Sequence, residues 1–209
     1  KQMKTILLIL TGVLLGNTAG KADDWPGWFG PHRDGVWREK GILKSFPTSG
    51  PEVLWRTKVN RGYAGPAVAG GRVFIMDRKV TDPAANPNNP FARGQIPGNE
   101  RLICIDAEDG KVLWEKLARK GKPQGPIHLK NSYASETPIT DGERVYAYFG
   151  NHGLYCYSID GKQLWEKEWP AYKTRYGWGL AASPVLHKGR LYIVNDNEQK
   201  SFLVALDAK

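Results

Sequence analysis

Little in this sequence can anchor chemistry. Two cysteines occur in 209 residues, Cys104 and Cys156, and they are neither adjacent to each other nor at metal-ligand spacing with a histidine. The four histidines, His32, His128, His152 and His187, are scattered in the same way, so no metal-ligating group is assigned. His152, shortly after Gly150, and His187, ahead of a strand, read as exposed turn residues. A phosphate-cradling loop and a nucleophile elbow are both missing, since Gly62-Tyr63-Ala64-Gly65 lacks the Lys or Ser that such motifs require. Basic residues come in isolated pairs such as Arg119-Lys120, without the clustered Lys/Arg and aromatic stripe of a nucleic-acid groove, which argues against nucleic acid as a partner. No residue is assigned a catalytic role.

Long apolar runs are also scarce. The exception is Ile6 to Leu15, preceded by Lys1 and Lys4 and followed by the small residues Ala19, Gly20 and Ala22. A run of about ten residues falls short of the ~20 a membrane-spanning helix needs. It reads instead as a cleaved export signal over residues 1–22, which predicts a periplasmic or otherwise extracytoplasmic protein with no stable membrane span. Loss of Lys1, Lys4 and Lys21 lowers the formal charge from +9 to +6, a mildly basic, solvated surface.

What is abundant is turn formers and aromatics. Twenty-four Gly, eight Trp and nine Tyr, with few stretches free of Gly or Pro, favour many short strands over long helices. The strands repeat. Gly65-Pro66 leads to Gly71-Arg72-Val73-Phe74-Ile75, Thr137-Pro138 to Glu143-Arg144-Val145-Tyr146-Ala147, and Ser183-Pro184 to Gly189-Arg190-Leu191-Tyr192-Ile193. A second hallmark follows: Leu102-Ile103-Cys104-Ile105-Asp106 before Asp109-Gly110-Lys111-Val112-Leu113-Trp114, and Leu154-Tyr155-Cys156-Tyr157-Ser158 before Asp160-Gly161-Lys162-Gln163-Leu164-Trp165. A third copy starts at Leu203-Val204-Ala205-Leu206-Asp207, and the expectation is that the chain stops inside a repeat, as part of a longer protein.

Each copy predicts a four-stranded antiparallel unit with tight turns at Gly70-Gly71, Asp109-Gly110, Asp141-Gly142, Asp160-Gly161 and Lys188-Gly189, because Gly supplies the positive φ of hairpin turns. The inner strands are apolar on consecutive residues. That pattern requires burial on both faces, which a blade stacked between two others provides. A helix period between the strands is absent, which excludes a parallel α/β sheet. The fold class is therefore all-β, a partial β-propeller of four-stranded antiparallel blades. Residues 23–60 form an opening segment and residues 61–209 about three blades. Trp114 and Trp165, with a forerunner at Trp55, should wedge between blades. Cys104 and Cys156 occupy one strand position in successive blades, farther apart than a disulfide can span, and read as two buried thiols.

Asp-Gly-Lys-Val-Leu-Trp and Asp-Gly-Lys-Gln-Leu-Trp resemble the tryptophan-docking motif of quinoprotein dehydrogenases and of the wider pyrroloquinoline-quinone (PQQ)-binding-like propellers, among them BamB-like assembly factors. Trp25-Pro26-Gly27-Trp28-Phe29-Gly30-Pro31-His32-Arg33-Asp34-Gly35-Val36 is similar to the opening of exported bacterial members. The resemblance implies a closed ring of seven or eight blades. For its enzyme branch it implies PQQ with calcium, often stacked on two adjacent bonded cysteines, a pair absent from this sequence. The expected function is a non-catalytic binding or scaffolding propeller, with a PQQ- and calcium-dependent oxidoreductase as the alternative.

Loops leading into each innermost strand gather around the mouth of a propeller's central channel, where a protein or small-molecule ligand would bind. The candidate ligand-binding residues are Tyr63, Asn131, Tyr133, Ser135, Glu136 and Trp178. Thr81 to Glu100, rich in Pro and Asn, reads as a long contact loop with no assigned partner.

Overall fold

The computed structural model describes residues 22–82, 96–121, 125–128, 130–150 and 152–209. The expected signal segment, Ala22 apart, lies outside them. Among the described residues, eleven strands build three antiparallel sheets. The first contains β1 (Ala67–Ala69), β2 (Arg72–Val80), β3 (Gly98–Asp106) and β4 (Val112–Gly121); the second β5 (Ile139–Thr140), β6 (Arg144–Phe149), β7 (Gly153–Ser158) and β8 (Gln163–Glu168); the third β9 (Val185–His187), β10 (Arg190–Asn195) and β11 (Phe202–Asp207). In each sheet the strands lie in chain order. The five turns expected from the sequence close the hairpins β1–β2, β3–β4, β5–β6, β7–β8 and β9–β10: Gly70 and Gly71 have φ of 58° and 75°, and Lys188 and Gly189 of 48° and 71°. Two successive left-handed residues match the right-handed strand twist.

The second sheet shows why consecutive apolar residues are needed. Along β6, Val145, Ala147 and Phe149 pack on Phe74, Met76, Leu102 and Cys104 of the first sheet. The alternate residues Tyr146 and Tyr148 pack on Leu191 and Ile193 of the third. Both faces of one strand are thus core, and each large apolar side chain so buried contributes about 1.5–3 kcal/mol. Cys104 and Cys156 sit in these two separate cores, unbridged, and burial pushes their thiols up to about 11 and about 12.

The tryptophans tie neighbouring sheets together. Trp114 Nε1 donates to the Ile159 carbonyl at 3.1 Å, and Trp55 Nε1 to the Ala107 carbonyl at 3.0 Å. Each ring lies on the Gly of the Asp-Gly turn in the sheet it reaches. A Cβ on Gly161 would stand 2.8 Å from the Trp114 ring and one on Gly110 2.7 Å from Trp55, so nothing larger fits at either turn. Trp165 packs on the core shared with the third sheet.

Two expectations need correcting. Part of the stretch read as a loop over Thr81 to Glu100 is strand: Gly98–Glu100 belong to β3 and pair with Arg78–Val80, while residues 83–95 lie outside the described residues. His152 is buried, 2% exposed, and His187 is the exposed last residue of β9. The polar ends of β3 and β4 carried no apolar signal, and Glu100 and Arg119 on them, with Tyr133, are what His152 packs against.

Candidate functional site

In an antiparallel blade the start of the innermost strand, the end of the second, the start of the third and the end of the outermost fall at one end of the sheet. In the first sheet that end carries the chain leading into β1, together with Arg78, Val80 and Gly98. It is pinned by charge. Asp77, 1% exposed, accepts from the Asn60 backbone N–H at 2.7 Å and from Arg101 Nη2 at 2.7 Å, while Arg78 N–H donates to the Arg61 carbonyl at 2.7 Å. Residues 60–62 are thereby fixed beside β2, and Arg61 projects at the surface.

Arg78 is the centre of a buried ionic group. Its Nε donates to Glu100 at 2.7 Å, its Nη2 donates to the Ile96 carbonyl, and its guanidinium lies 4.8 Å from the centre of the Tyr133 ring. Tyr133 also stacks against His152, at 6.1 Å and 26°, and His152 contacts Arg119 at 3.0 Å and Glu100 at 3.9 Å. Glu100 is 1% exposed. Burial raises its carboxyl above the ordinary range and outweighs the opposing pull of Arg78. Gly98 makes room for this group, since a Cβ there would come 2.8 Å from the Arg78 guanidinium.

Beside it opens a cleft of about 360 Å³, lined by Arg61, Tyr63, Arg78, Ile127, Asn131 and Tyr133 among others. The structure brings three of the six sequence candidates, Tyr63, Asn131 and Tyr133, to this cleft. Tyr63 is exposed, whereas Tyr133 is held by its hydroxyl, which donates to the Gly125 carbonyl at 2.7 Å, and burial pushes its pKa up to about 12. Asn131 donates to the Trp178 carbonyl at 3.1 Å and accepts from Ser135 Oγ at 2.5 Å.

The other three lie elsewhere. Ser135 supports Asn131 from behind. Glu136, 1% exposed, accepts from the Ser135 and Gly150 amides at 3.2 and 3.1 Å, with its carboxyl pushed up to about 8 by burial. The Trp178 side chain lines a separate depression with Arg175, Asp196 and Asn197. Sequence reading places Arg61 in the loop leading into the first innermost strand without making it a candidate, and it missed Arg78 and Glu100. The available signal was the pair Asp77-Arg78 lying opposite Glu100-Arg101 once the two strands are continued past their apolar cores.

Stacked antiparallel sheets with their strands in chain order, the first two four-stranded and joined by Trp114 on the Gly161 turn, define a β-propeller repeat protein, here as a partial propeller. The family model described as outer membrane protein assembly factor BamB matches residues 39–209, and the chain belongs to that PQQ-binding-like family. Among solved structures it is similar to a europium-containing methanol dehydrogenase, with 12% identity and a TM-score of 0.47 over 71% of this chain and 23% of that one. It is also similar to a quinohemoprotein alcohol dehydrogenase from Pseudomonas putida HK5, with 17% identity and a TM-score of 0.44 over 72% of this chain and 19% of that one. The chain thus spans less than a quarter of either structure's length. No curated protein matches the sequence.

No three His, Cys, Asp or Glu side chains come together among the described residues as a metal site would need, and the two cysteines are buried in different sheets. No helix among them is long and apolar enough to cross a membrane.

Proposed function

We propose that the protein is an exported, extracytoplasmic β-propeller that acts as a non-catalytic binding or scaffolding module, taking a protein or small-molecule ligand at the mouth of its channel. The observation that carries this reading is the composition of the mouth cleft: cations, aromatics and an amide, with Arg78 paired to Glu100 and no nucleophile–base pair among its described residues. Tyr63, Asn131 and Tyr133 are the contact residues of this reading, with Ser135 positioning Asn131, Glu136 supporting the frame and Trp178 flanking. Lys1, Lys4 and the apolar run after them support export, to the periplasm in a two-membrane cell.

The alternative is a PQQ- and calcium-dependent oxidoreductase, and titration separates the two. The protein mixed with PQQ and calcium is expected to show no bound-quinone absorbance and no dye-linked oxidation of alcohols or sugars. Appearance of both signals would overturn the scaffold reading.

A further inference from the structure

Two arginines stand directly opposite each other at the mouth end of the first sheet. Arg61 and Arg78 form an isolated antiparallel bridge, with the Arg78 N–H donating to the Arg61 carbonyl at 2.7 Å. Residues paired in this way project from the same face of the ladder, and like charges so placed repel. Both side chains line the cleft of about 360 Å³, and no Asp or Glu lines it among the described residues. The arrangement costs stability unless an anion lies between the two guanidiniums.

Arg78 is only partly used by its own chain. It is 6% exposed, its Nε donates to Glu100 and its Nη2 to the Ile96 carbonyl. Its Nη1 has no hydrogen-bond partner among the described residues, and it is not sealed from solvent as Glu100 Oε2 is. A buried cation thus presents one open donor nitrogen to the cleft while its other two nitrogens hold it in place. A guanidinium edge matches the oxygens of a carboxylate. Because Glu100 is paired with Arg78, Arg61 is the cation left over, which suits a singly charged ligand.

The rest of the lining bears on the body that carries the acid. Tyr63 is 64% exposed, whereas Tyr133 is 5% exposed with its ring against Arg78 and His152. One open aromatic face suits the C–H face of a sugar ring; a flat aromatic acid would be stacked on one side and left bare on the other. Asn131 Nδ2 gives one N–H to the Trp178 carbonyl and keeps a second, and the Ser132 hydroxyl, which accepts from the Ala134 N–H at 3.2 Å, has no acceptor of its own among the described residues. Such donors match sugar hydroxyls.

We propose, resting on the reading of this cleft as a ligand site, that it binds a hexuronic acid, with the carboxylate between Arg61 and Arg78 Nη1 and the sugar ring against Tyr63. Free hexuronates and the uronate units of an acidic polysaccharide share this chemistry.

Titration calorimetry of the full chain tests it, with galacturonate and glucuronate, their neutral counterparts galactose and glucose, oligogalacturonate and inorganic sulfate as probes. At least one hexuronate is expected to bind, and its neutral counterpart at least about tenfold more weakly. Arg61→Gln leaves the Arg78–Glu100 pair intact and is expected to weaken the hexuronate about tenfold while leaving the neutral sugar unchanged; Tyr63→Ala is expected to weaken both. Tighter binding of the oligomer would assign the ligand to a polymer, and equal binding to the free acid, either of which supports the proposal. Equal affinity for acid and neutral sugar, unaltered hexuronate affinity in Arg61→Gln, sulfate binding as well as the hexuronate, or no binding of either hexuronate would overturn it. Neutral-sugar affinity that is lost in Tyr63→Ala would overturn the acid assignment and keep the cleft as a ligand site. Hexuronate binding untouched by both substitutions would overturn the reading of the cleft as well.

Discussion

Glu136 is the residue through which pH should reach the fold. Its carboxyl is walled off from solvent, and burial pushes its pKa from 4.5 up to about 8. Between those values the folded chain keeps a proton that the unfolded chain has released, so stability is greatest at the acid end of that window and falls as pH rises through it. The slope from this group is at most about 1.4 kcal/mol per pH unit. Urea unfolding between about pH 5 and about pH 8 should therefore show the protein losing stability with rising pH, and Glu136→Gln should flatten the trend, leaving the smaller part due to Glu100. A variant with the unaltered slope would show that Glu136 is ionised in the fold. The sequence places Glu136 beside Tyr133 but does not reveal that it faces inward. In the run Asn131 to Glu136 every residue is polar or small enough for a loop, and the inward turn is set by Gly150, whose amide binds the carboxylate and whose Cα has no space for a side chain. Arg78 and Glu100 were illegible for a related reason. Each is a charged residue on a strand end, and only the antiparallel register brings them within 2.7 Å of each other.

At the scale of elements the sequence is far more informative, because a blade repeats the same few constraints. Turn glycines, the double-sided apolar strands and the tryptophan after each Asp-Gly turn are all visible as pattern, and all occur in the structure where the pattern puts them. What the pattern hides is that the latches are not equivalent. The Trp114 indole N–H has an acceptor, whereas the buried Trp165 N–H has no hydrogen-bond partner among the described residues. The corresponding carbonyl on the third sheet, that of Ala208, accepts from the Tyr146 hydroxyl at 2.9 Å. Trp114→Phe, which keeps most of the ring and loses the hydrogen bond, should cost about 1 kcal/mol. Trp165→Phe removes a donor that is already unsatisfied and should cost less. Trp114→Ala empties the seam and should cost about 3–5 kcal/mol. Urea midpoints of the three variants rank these directly; equal costs for the two Phe substitutions would contradict the difference in latching.

For the whole molecule, position in the stack decides how firmly each sheet is held. The second sheet contributes to both cores and has β6 and β7 buried on consecutive residues. In the third, β11 alternates between half-buried and exposed along its length, because it has one covered face. Local opening requires breaking the contacts of one sheet with its neighbours, and the second sheet has two such interfaces to break where the third has one. Native-state hydrogen exchange should accordingly find the slowest amides in β6 and β7 and markedly faster ones in β11. Uniform protection across all three sheets would mean that the stack opens as one unit and that burial on two faces confers no local advantage.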